Sequence, residues 1–280
     1  MAKKLVGPLR WYGGKCRLAS KLLSFVPDHQ TYVEVFAGGA ALFFAKDTSP
    51  LEVINDLDSG IVNFYRVLRD PEKFRRFQFL VSLTPFSREE HELCRRTWAD
   101  LGDDIERAHR WFIVNRMCYG GIFGSGFGRS VKTGRNGMAT NVASYLSTID
   151  RLPQIAARLM QVQIENLDFR QIIKAYDRPE TFFYLDPPYV LSTRKGKAYR
   201  HEMSDQDHAE LVDLLLHMKG KAVLSGYSNP FYESLEFAGW ARHDFKAMCT
   251  VANHIVKTDR SDNEFELNDR ERVETVWVRT

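Results

Sequence analysis

The sequence predicts an α/β fold: one parallel sheet built from both ends of the chain, interrupted by a mostly helical insertion. Strand-like and helix-like segments alternate over residues 31–68 and again from residue 161 onward, which is the pattern of βαβ units. Between these stretches, over 71–119, apolar residues recur only at helical spacing. A chain of 280 residues, 44% apolar and 27% charged, has the length for one large or two small domains and the composition of an ordinary globular protein.

Taken in order, residues 18–25 read as a short helix and 31–36, largely β-branched or aromatic, as the first strand. The turn Ala37, Gly38, Gly39 leads into an Ala- and Phe-rich helix ending at Lys46, and 51–54 is the second strand. Asn55, Asp56, Leu57 and Asp58 follow, then a helix with Ile61, Phe64, Tyr65 and Leu68 at helical spacing. In the insertion, Phe74, Phe77, Leu80 and Val81 mark one helical face, and Ala108, Trp111, Phe112 and Asn115 another. Residues 120–141 form a loop with seven glycines, followed by a helix over 145–160. Alternation resumes with strands at 162–164, 181–185 and 221–225, and helices at 169–176, 205–218 and 230–238. Strands near 240–250 and 273–279 close the chain. The expected domains are therefore 1–70 with 161–280, and the insertion 71–160.

The four cysteines, Cys16, Cys94, Cys118 and Cys249, are far apart and form no C-x-x-C, so neither a zinc site nor a disulfide framework is expected and a reducing cytoplasm is the expected home. Met1, Ala2, Lys3 and Lys4 are not followed by the apolar stretch of a secretory signal. No run approaches the ~18 apolar residues of a membrane span. The net charge of +3 hides an asymmetry. From Arg107 to Ile149 there is no acid, while Arg107, Arg110, Arg116, Arg129, Lys132 and Arg135 are basic, leaving the rest of the chain net negative. A second acid-free run, 187–201, carries Arg194, Lys195, Lys197 and Arg200. Clustered cations on an otherwise acidic chain suit a polyanion, though solvated loops would read the same way.

Open parallel sheets bind ligands beyond the carboxyl ends of their strands, so the residues leaving each strand carry the chemistry. After the first strand, Gly38 and Gly39 permit close backbone approach to a ligand or simply a tight turn. After the second, Asp56 is placed to accept two ribose hydroxyls or to cap the next helix, a role open equally to Asp58. After the 181–185 strand come Asp186, Pro187, Pro188 and Tyr189. Two prolines cannot extend a ladder, and they leave Asp186 and the Pro187 carbonyl as a pair of acceptors with an aromatic ring close behind. That trio suits a planar amine.

With Trp11-Tyr12-Gly13-Gly14-Lys15, the segment from Glu34 to Gly39, Asn55-Asp56, Asp168-Phe169 and Asp186-Pro187-Pro188-Tyr189 in this order, the chain resembles the Dam-type (class alpha) DNA adenine-N6 methyltransferases over nearly its whole length. A phosphate-binding loop is not the better match for Gly13-Gly14-Lys15, because Leu9 stands where its first glycine belongs and Cys16 follows the lysine. The resemblance implies a Rossmann-like S-adenosylmethionine-dependent methyltransferase sheet with an inserted target-recognition domain, acting without metal on double-stranded DNA as a monomer or weak dimer. It implies that Trp11, Tyr12, Gly13, Gly14 and Lys15 close the cofactor pocket, that Glu34, Phe36 and Gly38 line its methionine end, and that Asp56 binds the ribose. Asp168 and Phe169 match the positions that hold the cofactor's adenine; Asp168 follows a strand and is read as having no nearby basic partner. Asp186 with Pro187, Pro188 and Tyr189 matches the catalytic motif, with Asp186 ionised and needing no raised pKa.

By the same resemblance, Arg116 and Tyr119 belong to the DNA-recognising region, and Arg129, Lys132, Arg135, Arg194, Lys195 and Lys197 are further candidates for DNA contact. Residues 120–129 do not reproduce the asparagine and arginine of GATC-specific members, so that specificity is not expected. The acceptor trio also suits cytosine N4 or an RNA amine, although Asp before Pro-Pro-Tyr favours adenine. A DNA-binding regulator without catalysis is the rival from another class.

Overall fold

Strands β1 (Thr31–Glu34), β2 (Leu51–Asn55), β3 (Gln163–Glu165), β4 (Thr181–Leu185), β5 (Lys221–Gly226), β6 (Ala241–Met248) and β7 (Glu271–Arg279) form one sheet in the order β3-β2-β1-β4-β5-β7-β6. The computed structural model describes residues 5–134, 137–194, 199–248 and 271–280. β1 to β5 are mutually parallel, with Val33 opposite Val53 on one side and Phe183 on the other. β7 inserts antiparallel between β5 and β6. The fold is Rossmann-like, and the direction of winding reverses between β1 and β4.

Side chains alternate across the pleat, so each strand feeds two cores. Tyr32, Phe182, Tyr184, Val223, Val276 and Val278 face one core, and Val33, Phe183, Leu185, Ala222, Leu224 and Trp277 the other. The strands are apolar on both sides because helices cover both faces. The second core is closed by α8 (Phe169–Tyr176), α9 (Asp205–His217) and α10 (Pro230–Phe237).

The first face is covered by α1 (Ala19–Leu22), α2 (Ala41–Ala45) and α3 (Ser59–Arg69), and beyond them by α4 (Pro71–Leu83), α5 (Arg88–Thr97), α6 (Asp104–Met117) and α7 (Thr140–Leu159). The apolar cluster runs without a break from Tyr32 through Phe64 and Tyr65 into Phe77, Trp111, Phe112 and Tyr145. Phe64 stacks on Phe112 with centroids 5.4 Å apart. The insertion thus completes the core of the sheet's first face. Asp70 and Asp103 cap α4 and α6, each accepting two backbone amides, a contribution of about 1 kcal/mol apiece.

Most bounds shift by a residue or two, and three helices differ in ways worth explaining. The 18–25 helix shrinks to α1 with a 3-10 turn on either side, because Pro27 disfavours helical geometry at Val26. α2 starts only at Ala41, since Gly38 (φ +47°) and Ala40 (φ +49°) are both left-handed and hold the turn open. α7 begins at Thr140, earlier than its apolar spacing indicated. Buried Asn115 of α6 accepts from the Arg10 amide (2.9 Å) and donates to the Arg10 carbonyl (2.8 Å), as a neighbouring strand would. That clamp fixes the segment leading to Trp11.

Candidate active site

A cavity opens at the carboxyl ends of β1, β2 and β4, where the winding reverses. Its walls include Trp11, Phe36, Gly38, Asp56, Asp168, Phe169, Asp186, Pro188 and Tyr199. Glycine is required at position 38: besides the positive φ, a Cβ there would sit 2.7 Å from Trp11 Nε1. The Gly38 backbone therefore packs directly against the Trp11 indole, and both residues line the cavity. Phe36 lies 5.9 Å from Phe169, giving the cavity an aromatic wall.

Asp56 accepts from the Gly38 amide through Oδ2 and from the Asp58 amide through Oδ1, both at 2.8 Å. It is not the helix cap; Asp58 is, accepting from the Gly60 amide at 2.8 Å. Burial pushes the Asp56 carboxyl up to about 6, with the amides pulling the other way. Asp58 also binds Arg200 (2.8 and 3.0 Å), whose guanidinium lies over the Trp98 ring at 4.7 Å. Residues 199–203 thereby run along the mouth of the cavity and touch the insertion. Asp168 has a basic partner, which corrects the sequence reading: Arg170 lies 3.2 Å away, and Asp168 also caps α8 in a capping box with Gln171. Arg170 is shared with Asp207 and Glu210.

At the end of β4, Asp186 is held by a residue from the far end of the sequence. Lys15 Nζ, on a residue only 4% exposed, donates to Asp186 Oδ1 at 2.7 Å and lies 3.2 Å from Glu274. Tyr189 Oη donates to Glu274 and lies 3.4 Å from the same Asp186 oxygen. Asp186 Oδ2 has no protein hydrogen-bond partner among the described residues. Burial raises the Asp186 pKa, contrary to the expectation of an unshifted acid, and the Lys15 ammonium opposes that rise. The two carboxylates in turn hold Lys15 protonated, its pKa well above the usual lysine range despite burial. The Tyr189 ring is 6% exposed and packed against Tyr227 at 4.6 Å, so its face is covered in this state.

Not every residue implied by resemblance meets the cavity. Gly13, Gly14, Lys15, Glu34, Pro187 and Tyr189 are absent from its walls, whereas Tyr12 is present. Glu34 is buried beneath β1, accepting from Tyr32 Oη (2.8 Å) and the Phe43 amide (3.0 Å), and burial pushes its carboxyl up to about 8. Arg116 is 5% exposed. It donates to the Ser144 carbonyl and Oγ at 3.0 Å, and desolvation lowers its pKa to about 9. Arg194 is also inside, bonded to Glu202 and to the Tyr189 carbonyl (2.8 Å). Arg129 and Lys132 are exposed and Tyr119 is half-buried. Arg135, Lys195 and Lys197, like Cys249, lie outside the described residues. Sequence reasoning missed Tyr199 and Glu274, and read Arg200 only as part of a basic run; the signal for Glu274 was an acid in the largely apolar run from Val273 to Val278.

A glycine packed on an indole, an acid over each of two strand ends, and an acid held by lysine before two prolines are the features expected of one family. Residues 11–259 match the model of the D12 class N6 adenine-specific DNA methyltransferases. The chain belongs to this family. It is an adenine-N6 DNA methyltransferase by that membership, and DNA is its substrate. Type II methyltransferase M1.LlaDCHI of Lactococcus lactis subsp. cremoris is 29% identical over 81% of this chain and 82% of its own length. Type II methyltransferase M.MjaIII of Methanocaldococcus jannaschii is 23% identical over 92% of this chain and 96% of its own. The DNA N-6-adenine-methyltransferase of Escherichia phage P1 is 25% identical over 77% of this chain but only 29% of its own. Among the described residues of the D12 chain, no helix is long and apolar enough to cross a membrane, and no cluster of His, Cys, Asp or Glu is arranged to hold a metal.

Proposed function

We propose that this D12 enzyme takes its methyl group from S-adenosylmethionine and delivers it to the N6 amine of an adenine flipped out of double-stranded DNA at a specific sequence. The observation that carries this reading is Asp186: one oxygen is committed to Lys15, the other has no partner among the described residues, and the residue forms part of the cavity wall. The cavity fits the cofactor. Gly38 packs so closely on Trp11 that a Cβ would strike the indole, which leaves the Gly38 backbone, Trp11 and Phe36 as bare walls; Asp56 would hold the ribose, and Asp168 and Phe169 the adenine. When bound, S-adenosylmethionine supplies an electrophilic methyl on a sulfonium.

The chain's own residues handle the amine. Adenine N6 is a poor nucleophile because its lone pair is delocalised into the ring. Hydrogen bonds from N6–H to Asp186 Oδ2 and to the Pro187 carbonyl favour a pyramidal nitrogen and stabilise the positive charge that develops there. Flipping costs a few kcal/mol. Stacking on an aromatic such as Tyr189 returns ~1–3 kcal/mol once its face is uncovered, and a charge-assisted hydrogen bond ~1.5–3 kcal/mol.

Residues 71–160 form the target-recognising part, with exposed Arg129 and Lys132 as its candidate contacts. Arg135, Lys195 and Lys197 remain proposed from the sequence alone. The enzyme acts in the cytoplasm as a monomer or weak dimer. Asp186→Ala tests the reading: calorimetry should show S-adenosylmethionine still binding, while transfer of a radiolabelled methyl to DNA disappears. Near-parental transfer would remove Asp186 from the chemistry.

A further inference from the structure

Glu274 stands 85 positions after Tyr189 and reaches the Asp186 turn from β7, the antiparallel strand. It is 6% exposed, an acid between Val273 and Thr275 on a strand paired on both sides. Such a group is costly to bury unless paired. Its pairing is specific: one carboxylate oxygen, Oε1, accepts from Tyr189 Oη and lies 3.2 Å from Lys15 Nζ. On the opposite side, Asp186 Oδ1 accepts from the same Lys15 Nζ at 2.7 Å and lies 3.4 Å from the same Tyr189 Oη. The four groups close a ring in which one ammonium and one phenol bridge two carboxylates.

The charge count of that ring is what matters. One lysine is shared by two carboxyl groups, whereas without Glu274 it would serve Asp186 alone. Resting on the function proposed above, we propose that Glu274 is a positioning residue for methyl transfer. It shares the Lys15 charge, so that Asp186 keeps its full strength as acceptor for the target amine, and it anchors the Tyr189 hydroxyl so that the ring is held at a fixed angle. Glu274 does not line the cavity and acts through Lys15, Asp186 and Tyr189.

The charge role and a merely steric role predict opposite orders for two variants. Glu274→Gln keeps the shape and an acceptor for Tyr189 but removes the charge; Glu274→Asp keeps the charge on a shorter stem. Single-turnover methyl transfer, started from preformed enzyme bound to S-adenosylmethionine and duplex DNA, should fall about 10- to 100-fold in Glu274→Gln, the range seen when a group that orients a ligand from behind is lost. Glu274→Asp should recover part of that rate. Affinities for S-adenosylmethionine and DNA should stay within about 2-fold of the parent in both.

An unchanged rate in Glu274→Gln, or a rate in Glu274→Asp below that of Glu274→Gln, overturns the positioning role while leaving the parent activity intact. A parent that methylates no DNA overturns the proposed function, and this inference with it. If Glu274→Gln does not fold, Tyr189→Phe, which removes only the anchored hydroxyl, must show a lowered rate with unchanged cofactor affinity. A parental rate there also refutes the proposal.

Discussion

Lys15 and Asp186 are 171 positions apart in sequence, yet the lysine ammonium sits 2.7 Å from the carboxylate proposed to accept the target amine. A buried ion pair is weak evidence for stability, because both charges lose water, but removing one partner leaves the other exposed to that cost. Lys15 lowers the Asp186 pKa while burial raises it. In Lys15→Met burial and the Glu274 charge, which raise it, are opposed only by the Tyr189 hydroxyl, so a larger fraction of Asp186 is neutral near neutral pH. Methyl transfer should fall by about 100-fold or more near pH 7, and the acid limb of its pH profile should move to higher pH. A variant profile of parental shape, merely scaled, would show that Lys15 does not set the Asp186 charge.

Asp56 makes a separate prediction about the cofactor. Both of its oxygens are aligned by backbone amides, so the acceptor geometry is preformed. Asp56→Ala should weaken S-adenosylmethionine binding by about 10- to 150-fold, the equivalent of ~1.5–3 kcal/mol for hydrogen bonds to a charged group. Burial places its carboxyl at about 6. The parent's affinity should therefore decline as pH drops through that value, and Asp56→Asn should lack that decline. Calorimetry at several pH values reads both effects.

Glu34 is a carboxyl raised to about 8 by burial, against about 4.3 in an unfolded chain. Between those values the folded state holds the proton and the unfolded state does not. The stabilising contribution is thus complete below about 4.3, shrinks as pH rises, and is lost above the folded value. Glu34→Gln removes this dependence. Its melting temperature relative to the parent should rise with pH across that window, while cofactor affinity stays unchanged because Glu34 lies outside the cavity walls. A constant offset between the two melting curves would show that Glu34 is not neutral in the folded protein.

The basic residues of the insertion divide by burial, and their variants should divide likewise. Arg116→Ala should destabilise the fold by about 2–5 kcal/mol, as large buried side chains cut to alanine do. Lys132→Ala should leave stability unchanged, lower DNA affinity for every sequence, and flatten the salt dependence of binding by about one unit. Thermal unfolding paired with DNA titrations at several salt concentrations separates the two. An unchanged salt slope would show that Lys132 faces only solvent.

Some features were readable from sequence because they depend on local chemistry. β4 and α8 have the bounds their residues indicated, since an all-apolar β-rich run and a capped helix leave few alternatives. Asp186, Asp56 and Gly38, all in the cavity walls, were picked out because an open parallel sheet meets its ligands beyond the strand ends. What escaped depends on long-range packing. Arg116 and Arg129 look alike in a charge count, yet one faces Ser144 in the interior and the other faces solvent. Whether Asp56 or Asp58 caps α3 turned on the Gly38 amide, 18 positions away. Lys15 was placed at the cofactor pocket, but the short turn from Gly13 sends its side chain to Asp186 instead. Glu274 lies on a strand whose position between β5 and β6 no periodicity reveals.

The central claim is that Asp186 and its cavity direct methyl groups to adenine N6 in duplex DNA. Incubating unmodified genomic DNA with the protein and S-adenosylmethionine, then mapping every modified base by single-molecule sequencing, tests it most directly. N6-methyladenine should be confined to one recurring sequence, and absent when Asp186→Ala replaces the parent. Modified cytosines, or DNA left unmodified by the parent protein, would contradict it.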